Sequence, residues 1–131
     1  MSLASIEELI VLDKKAAVEY LGDIVLFEMM MEGFEDLTMR KNLTALKVAF
    51  DDFDYKSIRI NAHSLKGASA YICAERVKTA AERIESDIDN QSLAGLFKDY
   101  PTLVKQCIVL KKKIRYENCR KKSIIEANFR Y

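Results

Sequence analysis

Proline occurs once and glycine four times in 131 residues, and no stretch alternates β-branched with polar side chains, so the chain meets almost no obstacle to continuous helix. An all-α bundle follows. Apolar residues recur at Ile6, Leu9, Ile10 and Ala17, predicting a short first helix from Ile6 to about Tyr20; Leu21-Gly22-Asp23 then interrupts, with Asp23 suited to cap the next. Ile24, Phe27, Met30, Met31, Phe34 and Leu37 follow at spacings of three and four, the stripe of a helix with one buried side. The methionines read as core filler. Leu43, Leu46, Ala49, Phe50 and Phe53 predict a further helix. Asp51, Asp52 and Asp54 then fall at the start of the one after it, where acidic groups suit the helix dipole and need no acid/base or magnesium role. Val77, Ala81, Ile84 and Ile88 make another stripe, and Ser92 can cap the last long segment. Within it Pro101 removes a backbone donor and disfavours helical geometry at Tyr100, so a kink or a restart is expected there. Leu103, Val104, Cys107, Ile108, Leu110 and Ile114 continue the apolar face, and beyond Tyr116 the pattern thins into a projecting tail, about 117–131.

This length suits one domain, 1–131, with its core at about 10–115. Twenty-one basic and 20 acidic side chains nearly cancel, so no global field steers the protein to nucleic acid or to an anionic membrane. The balance hides a gradient: residues 1–54 carry 12 acidic and 5 basic side chains, a net of −7, and residues 101–131 carry 2 and 9, a net of +7. Most of this reads as solvated helix faces, with Lys111, Lys112, Lys113, Arg115, Arg120, Lys121 and Lys122 a weaker candidate for docking. Cys73, Cys107 and Cys119 lack CxxC spacing, and with one histidine no zinc pattern assembles. A reducing, cytoplasmic compartment fits, with nuclear entry open to a eukaryotic protein. No stretch approaches the roughly 20 apolar residues that cross a bilayer, and no basic-then-apolar leader opens the chain. A nucleophile elbow, a metal cluster and a phosphate-binding glycine loop are all missing, so neither a classical enzyme nor a cofactor or metal is expected.

On a helical wheel at about 100° per residue, Ile58, Ala62, Leu65, Ser69 and Ile72 share one face, which is read as buried. Arg59, His63, Lys66, Gly67, Ala70 and Ala74 cluster well away from it. A lone histidine is usually a satisfied core residue or an indifferent surface one, but the neighbours of His63 argue otherwise. Gly67 lies one turn on, although glycine in a helix interior costs roughly 1 kcal/mol relative to alanine. Its outward position disfavours a packing role and leaves a bare patch beside the imidazole. Lys66, also about one turn away, offers an ammonium to a phosphoryl oxygen carried on the ring. A neutral imidazole has a lone pair free to attack phosphorus.

The run Ala62-His63-Ser64-Leu65-Lys66-Gly67-Ala68-Ser69-Ala70 closely resembles the signature of histidine phosphotransfer (HPt) domains, in which histidine is followed by x-Leu-Lys-Gly and two small residues. The likeness spans roughly 10–115 and is strongest from Ala62 to Glu85. It implies an HPt-type four-helix up-down bundle with a short N-terminal helix and a long, kinked C-terminal one. It also implies His63 as phosphoacceptor, Lys66 as phosphoryl contact, Gly67 as steric clearance, and Glu85 on the next helix as the group that orients the ring. The resemblance implies a phosphorelay intermediary, which takes a phosphoryl group from one receiver-domain aspartate and passes it to another without autonomous catalysis. Its partners would be response-regulator receivers and a hybrid sensor histidine kinase, and it would act as a monomer. Ile60, Tyr71 and Ala74, with apolar residues of the early helices, are expected to fringe the docking patch; Tyr71 is read equally well as a side chain tucked along the bundle edge. The alternative is a helical adaptor that binds such partners without phosphotransfer. One departure stands out: the family usually has glycine where this chain has Cys73, so either the turn is slacker or Cys73 completes the helix.

Overall fold

The computed structural model describes residues 5–128, with side chains as far as Cys119. The ends of the expected 1–131 domain, and the side chains of Arg120, Lys121 and Lys122, lie outside the described residues. Every described element is helical. The expected helix from Ile6 to Tyr20 is not a single one. Ile6–Glu8 form a 3₁₀ turn, Leu9 is extended, and α1 (Lys14–Leu21) begins only after Asp13, whose carboxylate accepts from the Ala16 N–H at 3.0 Å. Backbone groups that a longer helix would satisfy internally are bonded elsewhere. The Glu7 and Leu9 carbonyls both accept from the Arg76 guanidinium at 2.8 Å, and the Asp13 N–H donates to the Cys73 carbonyl at 3.0 Å.

Gly22 ends α1 at φ 76°, a left-handed geometry that glycine adopts without a Cβ penalty, and Asp23 caps α2 (Ile24–Gly33). Where two helices are expected to meet, α2, a π-turn over Phe34–Met39 and α3 (Arg40–Asp51) run on without a break. The spacing of buried residues requires the π-turn. Phe27, Met31 and Phe34 step by four and three, and Met39, Asn42, Leu46 and Ala49 by three, four and three, but five residues separate Phe34 from Met39. In α geometry a step of five swings a side chain about 140° off its predecessor, whereas i→i+5 bonding, as from the Arg40 N–H to the Glu35 carbonyl, lets both enter the core. Leu37, expected in the buried stripe, is thereby thrown outward and is 75 % exposed.

Three-residue connections of one design join α3 to α4 (Tyr55–Tyr71), α4 to α5 (Glu75–Asp89) and α5 to α6 (Leu93–Asn128). In each, the middle residue is left-handed: Phe53 at φ 51°, Cys73 at 54° and Gln91 at 53°. The next N–H reaches back five residues, Asp54 to Ala49 at 2.8 Å, Ala74 to Ser69 at 2.9 Å and Ser92 to Asp87 at 2.8 Å. This is the Schellman closure that normally selects glycine. Cys73 therefore neither slackens the turn nor completes the helix; it occupies the left-handed site itself. Phe53, expected in an apolar stripe, is turned out to solvent by the same geometry. Of the three aspartates, Asp54 alone starts the following helix, accepting from the Ser57 N–H at 3.2 Å, while Asp51 and Asp52 close α3.

Helix α6 does not restart at Pro101. Proline removes the donor that would bond the Phe97 carbonyl, but Phe97 and Pro101 lie on the exposed side, where water can serve that carbonyl, while Leu96, Leu103, Cys107, Leu110 and Ile114 bury on the other. Ile108, read as part of the apolar face, is exposed. The helix continues to Asn128, through the start of the expected tail. Each of the runs 24–51, 55–71, 75–89 and 93–128 packs on the one before it, and α2 touches α6 to close the ring. Among the described residues, no helix is long and apolar enough to cross a membrane.

A left-handed non-glycine residue costs on the order of 1–2 kcal/mol, offset partly by glycine's greater chain entropy, so Gln91→Gly should raise unfolding stability by about 0.5–1 kcal/mol in urea titration. Cys73→Gly should gain less, because a partly buried side chain is lost. Beside the last of these connections, burial, a hydrogen bond with Asp99 and its charge push the Asp87 carboxyl from 3.8 up to about 7, against the pull of Lys98 and Arg83. A carboxyl raised on folding leaves stability untouched below about pH 4 and lowers it progressively until the penalty is complete above about pH 7. Asp87→Asn should accordingly raise the melting midpoint at pH 8 and change it little at pH 4, with the reverse order refuting this account.

Candidate functional site

The buried face expected for α4 is buried throughout: Ile58, Ala62, Leu65, Ser69 and Ile72 are all sealed in the core. This fixes the rotation of the helix and turns His63 outward, its side chain 63 % exposed. Across the interface α5 buries Val77, Ala80, Ala81 and Ile84, and the alanines keep the two backbones close enough for short polar contacts between their edges. Glu85 stands at that edge with its side chain only 8 % exposed.

Three side chains of α4 converge on Glu85. His63 Nδ1 lies 3.2 Å from Oε2, Lys66 Nζ lies 3.0 Å from Oε1, and Arg59 Nη2 lies 3.8 Å from Oε2. The Lys66 contact is a charge pairing, not an aligned hydrogen bond. A carboxylate can only accept, so its contact with the ring puts the imidazole proton on Nδ1 and leaves the lone pair on Nε2. Arg59 also forks onto Asp89, Nε to Oδ1 at 2.8 Å and Nη2 to Oδ2 at 3.2 Å. That fork holds the Asp89 carboxyl below the usual carboxylate range and raises the Arg59 guanidinium further.

A Cβ built on Gly67 meets nothing within 4 Å. Nothing inside the chain requires glycine there, and the space above it opens into a groove of about 560 Å³ beside the imidazole. Along one side run His63, Gly67 and Tyr71 of α4; along the other run Met29, Gly33 and Leu37 of α2 and the π-turn. The early helices thus supply apolar residues beside the histidine, and Leu37 is there because the π-turn ejects it. Tyr71 lines the groove and its ring centroid lies 6.3 Å from that of Tyr20. Ile60 is exposed but does not line it. Ala74, expected to fringe the histidine, is instead fully buried, because α4 ends at Tyr71 and the left-handed connection folds Ala74 beneath α5.

The four residues singled out in the sequence, His63, Lys66, Gly67 and Glu85, meet at one place on the surface. Lys66, expected to offer its ammonium to a phosphoryl group on the ring, is paired with Glu85. Arg59, placed by the wheel on the outward face without a role, and Asp89 complete this cluster. Their signal is positional, since one turn back from His63 and one turn on from Glu85 are neighbouring positions in an antiparallel helix pair. Of the basic stretch, Lys111 and Arg115 pair with Glu35 of the π-turn at 3.8 and 2.6 Å, and Lys113 pairs with Glu117 at 3.1 Å. The Cys107 thiol is pushed up to about 12 by burial and is chemically quiet.

A family model described as Hpt domain matches residues 29–112, well over half of the chain. No curated protein and no solved structure matches it.

Because open space surrounds the Gly67 Cα, Gly67→Ala should stabilise the fold by about 0.5–1 kcal/mol through helix propensity alone. Thermal unfolding checks this; a destabilised variant would show that the glycine serves internal packing.

Proposed function

The chain belongs to the Hpt domain family, whose members carry phosphoryl groups on histidine within two-component phosphorelays, and from that premise we propose that His63 is the phosphoacceptor. In this reading the Nε2 lone pair attacks the phosphorus of an aspartyl phosphate on a docked receiver domain. The Nε2–P bond forms as the P–O bond to the aspartate breaks, and the carboxylate leaves with the bonding pair. An aspartate of a second receiver then attacks the phosphorus, and its O–P bond forms as the Nε2–P bond breaks and returns the bonding pair to Nε2. Receiver domains bring their own magnesium and acidic pocket, so this chain's task is to present and orient a nucleophile. The single observation carrying the reading is an imidazole two-thirds open to solvent whose inner nitrogen is tethered to Glu85 at 3.2 Å.

Each neighbour has a part. Glu85 holds the tautomer that exposes the Nε2 lone pair, and it favours the positive charge that the ring gains on attack. Lys66 exchanges its contact with Glu85 for one with the phosphoryl oxygens, where a charge-assisted bond is available. Gly67 leaves clearance for the receiver's loops, and the groove bounded by Met29, Leu37 and Tyr71 forms the apolar part of the docking surface. The protein acts as a cytoplasmic monomer between a hybrid sensor histidine kinase and its response regulators.

Incubation with a phosphorylated receiver should label the wild-type chain with an acid-labile phosphoryl group and leave His63→Gln unlabelled. Equal labelling of both would end the proposal. Gly67→Ala, although at least as stable as wild type, should transfer about tenfold more slowly if a methyl group obstructs the approach of the receiver.

A further inference from the structure

Glu85 is nearly dehydrated, and a carboxylate in that position is costly unless countercharge lies beside it. Two cations do so, Lys66 on Oε1 and Arg59 on Oε2. The proposed transfer draws Lys66 toward the phosphoryl oxygens, which strips Glu85 of its nearer partner at the step when the ring most needs a hydrogen-bond acceptor. Arg59 is not free to follow. Its guanidinium is forked onto Asp89, and its Nη2 faces the same oxygen that accepts from His63 Nδ1. It therefore stands on the Nδ1 side of the imidazole, away from the nitrogen that receives phosphorus.

We propose that Arg59, anchored by Asp89, is a positioning residue that balances the Glu85 carboxylate and holds it in contact with His63 Nδ1 while Lys66 serves the phosphoryl group. This rests on His63 as phosphoacceptor, and it adds a division of labour between two cations on one carboxylate. Asp89 contributes by immobilising the guanidinium through two bonds, a geometry that the planar fork of arginine suits and lysine does not.

His63 is the sole histidine, so its long-range ¹H–¹⁵N spectrum reports one imidazole without overlap. In wild type the Nδ1–H tautomer should dominate. Arg59→Ala should shift the ring toward a mixture of tautomers and slow single-turnover transfer at saturating phosphorylated receiver by about tenfold, with KM within about twofold of wild type. Arg59→Lys should recover part of the rate, and Asp89→Asn should fall between wild type and Arg59→Ala. Unchanged tautomer and rate in Arg59→Ala, or a loss confined to KM, would overturn the inference. A wild-type chain that takes no phosphoryl group would instead refute the function proposed for His63, and the tautomer spectra would still decide whether Arg59 positions the ring through Glu85.

Discussion

A carboxylate shut away from water at the edge of a helix–helix interface is costly unless cations surround it, and the contact between α4 and α5 is arranged around that requirement. Ala62 from one helix and Ala80 and Ala81 from the other bring the backbones close, so side chains of ordinary length span the gap to Glu85. Arg59 and Lys66 approach from either side of His63 along α4, and the ring between them inherits a fixed orientation. Packing thus prepares the site before any partner arrives. The hydrophobic face of α4 sets its rotation, the rotation sets which side chains reach α5, and the carboxylate there fixes the imidazole.

The far wall of the site has a different origin. Phe34 and Met39 both belong to the core, yet their spacing of five does not suit an α-helix. The π-turn that reconciles them widens the helix locally, a form rarely adopted except where something is gained. Here it moves Leu37 out of the interior and onto the groove beside His63, where an apolar side chain can serve recognition. Glu35 of the same turn is pinned by Arg115 and Lys111, which ties the groove to α6 and gives part of the basic stretch a structural task.

How far the chain could be read in advance follows from the kind of signal each element carries. The face of α4 was legible because 17 residues with one clear apolar stripe leave little freedom of rotation, and the side chains opposite that stripe then had to face outward. The meeting of His63 with Glu85 was legible through family likeness alone, since no local pattern reports the register between two helices. The π-turn was hidden because Leu37 continues an apolar spacing of three from Phe34, and only the packing of Met39 decides against it. The three connections were hidden for the opposite reason. Their left-handed positions hold Phe53, Cys73 and Gln91 where glycine would have announced the turn. The fate of Ala74 was lost with them, because the wheel was carried past the end of the helix it described.

Those connections have a further meaning for the chemistry next door. An α-helix advances about 100° with every residue, so the three residues between α4 and α5 act as a gauge that sets which face of α5 looks across the interface. One residue more or fewer would carry Glu85 and Asp89 roughly a quarter-turn around their axis and present a different pair of side chains to His63 and Arg59. The length of this short connection is in this sense as much a component of the site as the histidine itself.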